Sequence, residues 1–355
     1  MTEEGTKSPF APKSYAIYFE RPLARVGLPV WTGALVLAFM IGAVFVVSDF
    51  IAGILTADRL IQLTTLLVSL ALGPVFLILV RDKALVTFQS ISLDLDAGQE
   101  KELLRILTKM LDQRRSLIFA SVIALGGIAH HISLSYFEWG RIWWYSVVDI
   151  VLVGFLWWFV IATFLWTCLS VSAYCLVASR RLKFTLPLSS RGKMLGLEGF
   201  GTLALFPAIL WGVIATLGTA TTFDPYISTQ FPTLIFSYLL LDFLISALSM
   251  TALFLFPILG YRHLAIPFKR ELSKQLHQLM LESGTNGVPS TPKLDSQKTL
   301  NSLYLWHLSS QIEEIREWPI SFGTGVRFIV SYLIPGSVFV GRLIYFYAYK
   351  VALPI

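Results

Sequence analysis

The stretch VWTGALVLAFMIGAVFVVSDFIAG, residues 30–53, decides the fold class. It carries one charged side chain, Asp49, and no proline. A bilayer core of about 30 Å needs about 20 apolar residues in a helix, and this run supplies them. A secretory signal has a shorter apolar core and a small-residue cleavage site. The run from Val30 is long enough to stay in the membrane. Before it, Met1 to Pro29 is polar and mixed, with Glu3, Glu4, Lys7, Lys13, Glu20, Arg21 and Arg25. There is no myristoylation glycine at position 2 and no C-terminal prenylation cysteine.

The whole chain repeats this pattern. Of 355 residues, 55% are hydrophobic and 14% charged. Globular domains carry about 25% charged residues, so a water-soluble fold could not coat its surface with so few. Six further runs are long enough to span: Leu63 to Val80, Ser116 to Ser135, Trp143 to Val177, Leu197 to Leu217, Thr233 to Leu259 and Val326 to Tyr349. The expectation is an all-α integral membrane protein of about seven transmembrane helices with a cytoplasmic helical layer.

Charge tests the count, because cytoplasmic loops carry excess Lys and Arg. The segment from Arg81 to Arg115 also holds Lys83, Lys101, Arg105, Lys109 and Arg114. After the fourth run come Arg180, Arg181, Lys183, Arg191 and Lys193, and after the sixth Arg262, Lys269, Arg270 and Lys274. The intervening loops hold only Arg59, only Arg141 and no basic residue. Seven spans with a cytoplasmic N-terminus put every basic loop on one side, and the C-terminus outside. Alternatively, Pro335-Gly336 breaks the last run into a re-entrant hairpin and returns the C-terminus inside. Trp139, Trp143, Trp144 and Tyr145 form an aromatic belt at the outer end of the fourth span. The net charge of +6 is spread over span ends rather than gathered in one patch, which argues against nucleic acid as a partner.

The fourth run, with no proline and about 52 Å of helix, outruns the bilayer and should continue into the cytoplasm. Two amphipathic segments could cover it. In Gln99 to Arg115, Leu103, Leu104, Ile106, Leu107, Met110 and Leu111 recur at helical spacing. Asp94 or Asp96 could cap its start, and it should run into the third span. Before the last span, Phe268, Leu272, Leu276, Leu279 and Met280 form one stripe. Leu300, Leu303, Tyr304, Leu308, Ile312 and Ile315 form another. Gly284, Gly287, Pro289 and Pro292 punctuate the connector between them. This predicts a helical hairpin under the membrane, closed by the turn at Trp318-Pro319. Helices lying flat in the headgroup interface are the alternative. The chain then divides into a cytoplasmic segment 1–29, a six-span bundle 30–261, a cytoplasmic hairpin 262–320, and a last span with a short C-terminus, 321–355.

Ionisable groups inside spans are costly and are functional candidates by default. Asp242, about nine residues into the sixth run, falls near the midplane. It is either an ion or gate residue or a carboxylate paired with Tyr, Trp or Arg to fix packing. Asp49, His130, His131, Asp149 and Arg342 collect toward the outer side. They either line a vestibule or snorkel and pair at the interface. His130 and His131 point about 100° apart on a helix, which disfavours both as ligands of one metal. Glu198 opens the fifth span, where the helix N-terminus stabilises a carboxylate. Gly192, Gly196, Gly199 and Gly201 suggest close helix contact. Cys168 and Cys175 share a helix face at a spacing too long for a disulfide and read as small buried hydrophobes.

The last span is rich in small residues. Ser321 with Gly325, and Ser337 with Gly341, fit small-xxx-small spacing, and Pro335 should kink the helix. Ser331, Tyr332, Pro335, Gly336, Ser337 and Gly341 are therefore candidates for a pore-lining or subunit-contact helix with freed carbonyls facing water. The alternative is a tightly packed central helix. No metalloprotease, P-loop or nucleophile-elbow motif occurs, and no cofactor, metal or enzymatic activity is expected. The expected partners are the lipid bilayer, a second copy of the chain and a cytoplasmic protein.

In layout the chain resembles the insect chemoreceptor channels. The shared features are seven spans, an inside N-terminus, an outside C-terminus, a long fourth span and a cytoplasmic helix leading into the last. Their last span carries Thr-Tyr, five residues, Gln-Phe. Ser331-Tyr332 and Val338-Phe339 hold those places here, without the Thr and the Gln. The resemblance covers layout alone, favours a channel and implies no ligand. The competing expectation is a non-transporting sensor, scaffold or assembly subunit acting through the hairpin.

Overall fold

The computed structural model describes residues 20–25, 27, 29–51, 53, 57–92, 96–135, 155–181, 197–221, 232–282, 296–319 and 322–352. The expected aromatic belt at Trp139 to Tyr145 lies outside them. Every regular element described is a helix. In chain order they are α1 (Glu20–Arg25), α2 (Val30–Ile51), α3 (Ala57–Ser92), α4 (Ala97–Met110), α5 (Gln113–Ser135), α6 (Trp158–Arg181), α7 (Glu198–Thr221), α8 (Pro232–Glu282), α9 (Ser296–Glu314) and α10 (Phe322–Ala352).

Six of these, α2, α3, α6, α7, α8 and α10, are long and apolar enough to cross a membrane. The chain is a polytopic α-helical membrane protein. The third expected span coincides with α5, which is not among the six. Its 23 residues cover about 34 Å, but Arg114 and Arg115 at one end and His130-His131 near the other shorten its apolar stretch. Its outward face is Ile118, Val122, Leu125 and Ile132, all exposed. They recur at helical spacing, as a lipid-facing stripe requires.

The helices meet in a common layer at their basic ends. Arg81 of α3 is buried, and its guanidinium pairs with Glu20 of α1 and with Asp82 at 2.8 Å. The short N-terminal helix is thereby pinned to the second span. Tyr174 of α6 is fully buried. Its hydroxyl donates to the Leu103 carbonyl of α4 at 2.9 Å, and its ring meets Phe88 of α3 edge-on at 4.2 Å. Leu103, Ile106 and Leu107, the apolar face of α4, are buried in the same place. The predicted continuity of α4 with the third span is not found. Leu111 and Asp112 break it, because Asp112 starts a new helix. Its carboxylate accepts from the Arg114 N–H at 3.1 Å and its carbonyl from Ser116 N–H at 3.2 Å. Asp96 occupies the N-cap of α4 in extended geometry, but its side chain makes no cap bond.

Much of the fourth apolar run lies outside the described residues. Its described part, α6, continues past Val177 to Arg181 and is covered by α4. Helices α3 and α8 are also long, with 36 and 51 residues. Helix α8 extends about 76 Å and passes unbroken through Pro257, Arg262 and Pro267, so the boundary expected at 262 falls inside one helix. Its last third pairs with α9, and Leu276, Leu305, Ile312 and Ile315 are buried between them. The segment joining α9 to α10 is clamped by α8. Tyr261 donates its hydroxyl to the Arg316 carbonyl at 2.6 Å. Lys269 Nζ reaches the carbonyls of Glu313 and Ile315 at 3.4 and 3.3 Å and the Glu317 carboxylate at 3.5 Å. Arg262 lies over the Trp318 ring at 4.5 Å.

Close backbone approach occurs where glycine permits it. A Cβ on Gly260 of α8 would stand 2.7 Å from the Cys175 carbonyl oxygen, and one on Gly201 of α7 2.6 Å from the Pro319 oxygen. Gly199 packs against Thr87 of α3. Cys168 and Cys175 are free thiols buried within the bundle.

Candidate functional site

Among the described residues, helix α10 packs mainly against α7 and α8, and its buried residues lie on one side. Phe328 stacks on Phe254 at 3.8 Å and Phe339 on Phe243 at 4.8 Å. Ser331, Pro335 and Phe339 are buried on this side, with Tyr332 and Gly336 half-buried beside them. The other side is an exposed arc of about 160° at 100° per residue. It carries Val326, Ile329, Val330, Leu333, Ile334, Val340 and Ile344, and among them Arg327, Ser337 and Gly341. Ser337 lies at the arc's centre.

The sequence candidates in this helix therefore divide. Ser331, Tyr332, Pro335 and Gly336 turn into their own chain. Ser337 and Gly341, the small-xxx-small pair, turn away from it, and a Cβ on Gly341 would meet nothing within 4 Å. Pro335 deprives the Ser331 carbonyl of its usual donor four residues on. That carbonyl lies against Gly212 of α7, 3.4 Å from where a Cβ would sit. The freed carbonyl expected to face water faces a neighbouring helix instead. The hydroxyls of Ser331 and Ser337 both fold back on their own helix, donating to the carbonyls of Phe328 and Ile334 at 2.8 Å.

Asp242 is half-buried, and helix register fixes its height. Gly212 of α7 meets Met250 of α8. Asp242 is eight residues, or about 12 Å, beyond Met250 toward the start of α8. The same step along antiparallel α7 reaches its end near Thr221. Asp242 thus lies toward the end of the bundle at which α7 finishes. Asp49 is fully buried on α2. Neither carboxylate is isolated from its surroundings. Asp149 lies outside the described residues, as do the side chains of His130, His131 and Arg342, so the expected outer cluster is represented by Asp49 alone. Among the described residues no three His, Cys, Asp or Glu side chains gather as a metal site would require.

Sequence reasoning missed two features. The Glu20–Arg81 pair joins residues 61 apart in sequence, and nothing local marks it. The clamp by Tyr261, Arg262 and Lys269 on the segment before α10 was hidden by reading Arg262 and Lys269 only as orientation signals.

No known protein family, characterised protein or solved structure matches this chain.

Proposed function

We propose that the protein is a channel or transporter, assembled from more than one copy, with α10 beside the conduction path. One observation carries this reading. Only 17% of the Gly323–Gly341 span is buried within the chain, yet its mean hydropathy of 1.4 is the lowest of the six. A face that meets lipid selects for apolar residues. Helix α2, with 39% buried, has a mean hydropathy of 2.5, as lipid exposure demands. Helix α10 is less apolar on average partly because Thr324, Ser331, Tyr332, Pro335 and Gly336 lie on its packed side. Its outer arc is largely aliphatic, with Ser337 at the centre, Gly341 beside it and Arg327 at the edge. So little burial within the chain, with a small-residue and polar interruption of the exposed arc, supports contact with another copy of the chain or with water. The excess of Lys and Arg at one end of the spans supports a cytoplasmic basic end, and with it a cytoplasmic N-terminus.

The test is cysteine accessibility in reconstituted vesicles. The native Cys168 and Cys175 are buried, so they give little background. Ser337→Cys and Gly341→Cys should react with a membrane-impermeant thiol reagent and lose ion flux on reaction, whereas buried Phe339→Cys should do neither. Asp242→Asn and Pro335→Ala should alter flux. Unreactive cysteines at 337 and 341, together with no flux under any ionic condition, would overturn the proposal.

A second reading rests on α9, where Leu300, Leu303, Tyr304 and Trp306 are exposed together. Under it the hairpin captures a cytoplasmic protein and the membrane part is an anchor. Deleting residues 271–317, or introducing Leu303→Glu with Trp306→Glu, should then abolish partner capture while membrane insertion persists. Retained capture sinks it.

A further inference from the structure

Helix α4 is amphipathic, and only its apolar side has a place in the core. Its outer face presents Lys101, Arg105 and Lys109 at successive four-residue steps, all exposed. Arg114 and Arg115, exposed in the first turn of α5, continue this surface. Arg181 at the end of α6 reaches Glu102 at 3.5 Å, which brings the exposed Arg180 and Arg181 to the same place. Acidic groups offset only part of this charge. Glu102 serves both Arg105 and Arg181 at 3.5 Å, and Asp112 lies 4.0 Å from Arg115. Lys101, Lys109 and Arg180 have no carboxylate partner among the described residues.

The depth of this surface follows from its attachments. The Leu103 carbonyl is held by Tyr174, three residues before Val177, where the fourth apolar run ends. Arg114 and Arg115 immediately precede Ser116, where the apolar run of α5 begins. Both the middle and the end of α4 therefore sit where apolar helix surface gives way to polar. Headgroups occupy that depth. A basic amphipathic helix held there meets phosphates before it meets any soluble macromolecule.

We propose that the outer face of α4, with the adjoining ends of α5 and α6, binds the phosphates of anionic phospholipids in the leaflet at the basic end. The inference is independent of whether the protein conducts. Its test uses the full-length chain in neutral detergent. Bound lipid is counted by native mass spectrometry, and thermal stability is followed with added phosphatidylglycerol or phosphatidylcholine. The wild type should retain phosphatidylglycerol selectively and gain thermal stability from it, with both effects weakening as salt rises. Each of the exposed changes Lys101→Gln, Lys109→Gln and Arg180→Gln should weaken retention about fivefold. The triple variant should bind both lipids alike. Arg270→Gln with Lys274→Gln, on the exposed hairpin part of α8, should leave retention unchanged. Equal retention of both lipids by the wild type would overturn the proposal. So would a triple variant that keeps the preference, or an equal stabilisation by inorganic phosphate.

Discussion

Helices α6 and α10 have the lowest mean hydropathies of the six spans bar α7, which equals α6, yet they sit at opposite extremes of burial. In α6, 61% of the span is buried at a mean hydropathy of 1.9; in α10, 17% is buried at 1.4. Helix α6 hides its polar groups inside the chain. Thr163 and Thr167 donate to carbonyls of their own helix at 2.8 and 3.0 Å, and Tyr174 finds Leu103. Its glycine-sized contact is with Gly260 of α8, backbone to backbone. Helix α10 packs Ser331 and Gly336 against its own chain but turns Ser337 and Gly341 to the side left exposed among the described residues. The same composition thus serves internal packing in one helix and an external face in the other.

Substitutions can break that contrast, and the largest effect belongs to the packed side. Gly260→Val drives a side chain into the Cys175 carbonyl, a backbone group that cannot swing aside. It should cost about 3 kcal/mol, read as a lower unfolding temperature in detergent and poor recovery of monodisperse protein. Gly341→Val, on the open side, should leave that temperature unchanged. Equal losses from the two would erase the distinction. Tyr174→Phe should cost about 1 kcal/mol by removing a buried hydrogen bond to the Leu103 carbonyl, which keeps only its own helix donor. Tyr261→Phe should cost a similar amount and, in addition, raise proteolysis of the segment before α10. The smallest effect on stability should come from Ser337→Ala. It loses only a hydroxyl bonded to its own helix, so unfolding should be unmoved while flux in reconstituted vesicles changes. Unchanged flux would assign the arc of α10 to contact between copies rather than to the path itself.

Much of the fold was legible because hydropathy is a local property. The runs from Val30, Leu63, Leu197, Thr233 and Val326 correspond to α2, α3, α7, α8 and α10. The breaks were harder to read. Asp112 follows the end of one helix and caps the next, but in sequence it is one polar residue among several between the apolar stripe that ends at Leu111 and the run from Ser116. Arg262 and Lys269 read as the basic residues that follow the sixth run, with a separate hairpin beginning at 262. Helix α8 continues because a proline removes only one backbone bond, and because Lys269 finds carbonyls on the facing strand of chain. At the candidate site, the choice of Ser337 and Gly341 came from spacing. Their orientation did not, since the same spacing describes both faces of a contact. The height of Asp242 relative to its neighbours is likewise not local, because tertiary register sets it.

The unbroken course of α8 joins distant parts of the molecule through one element. From the bare contact of Gly260 with the Cys175 carbonyl, it runs about 33 Å to Glu282 and about 42 Å to Pro232. Over that length it packs on α6 and α7, pairs with α9, and through Tyr261, Arg262 and Lys269 holds the chain just before α10. The hairpin and the least buried of the six spans therefore share one support.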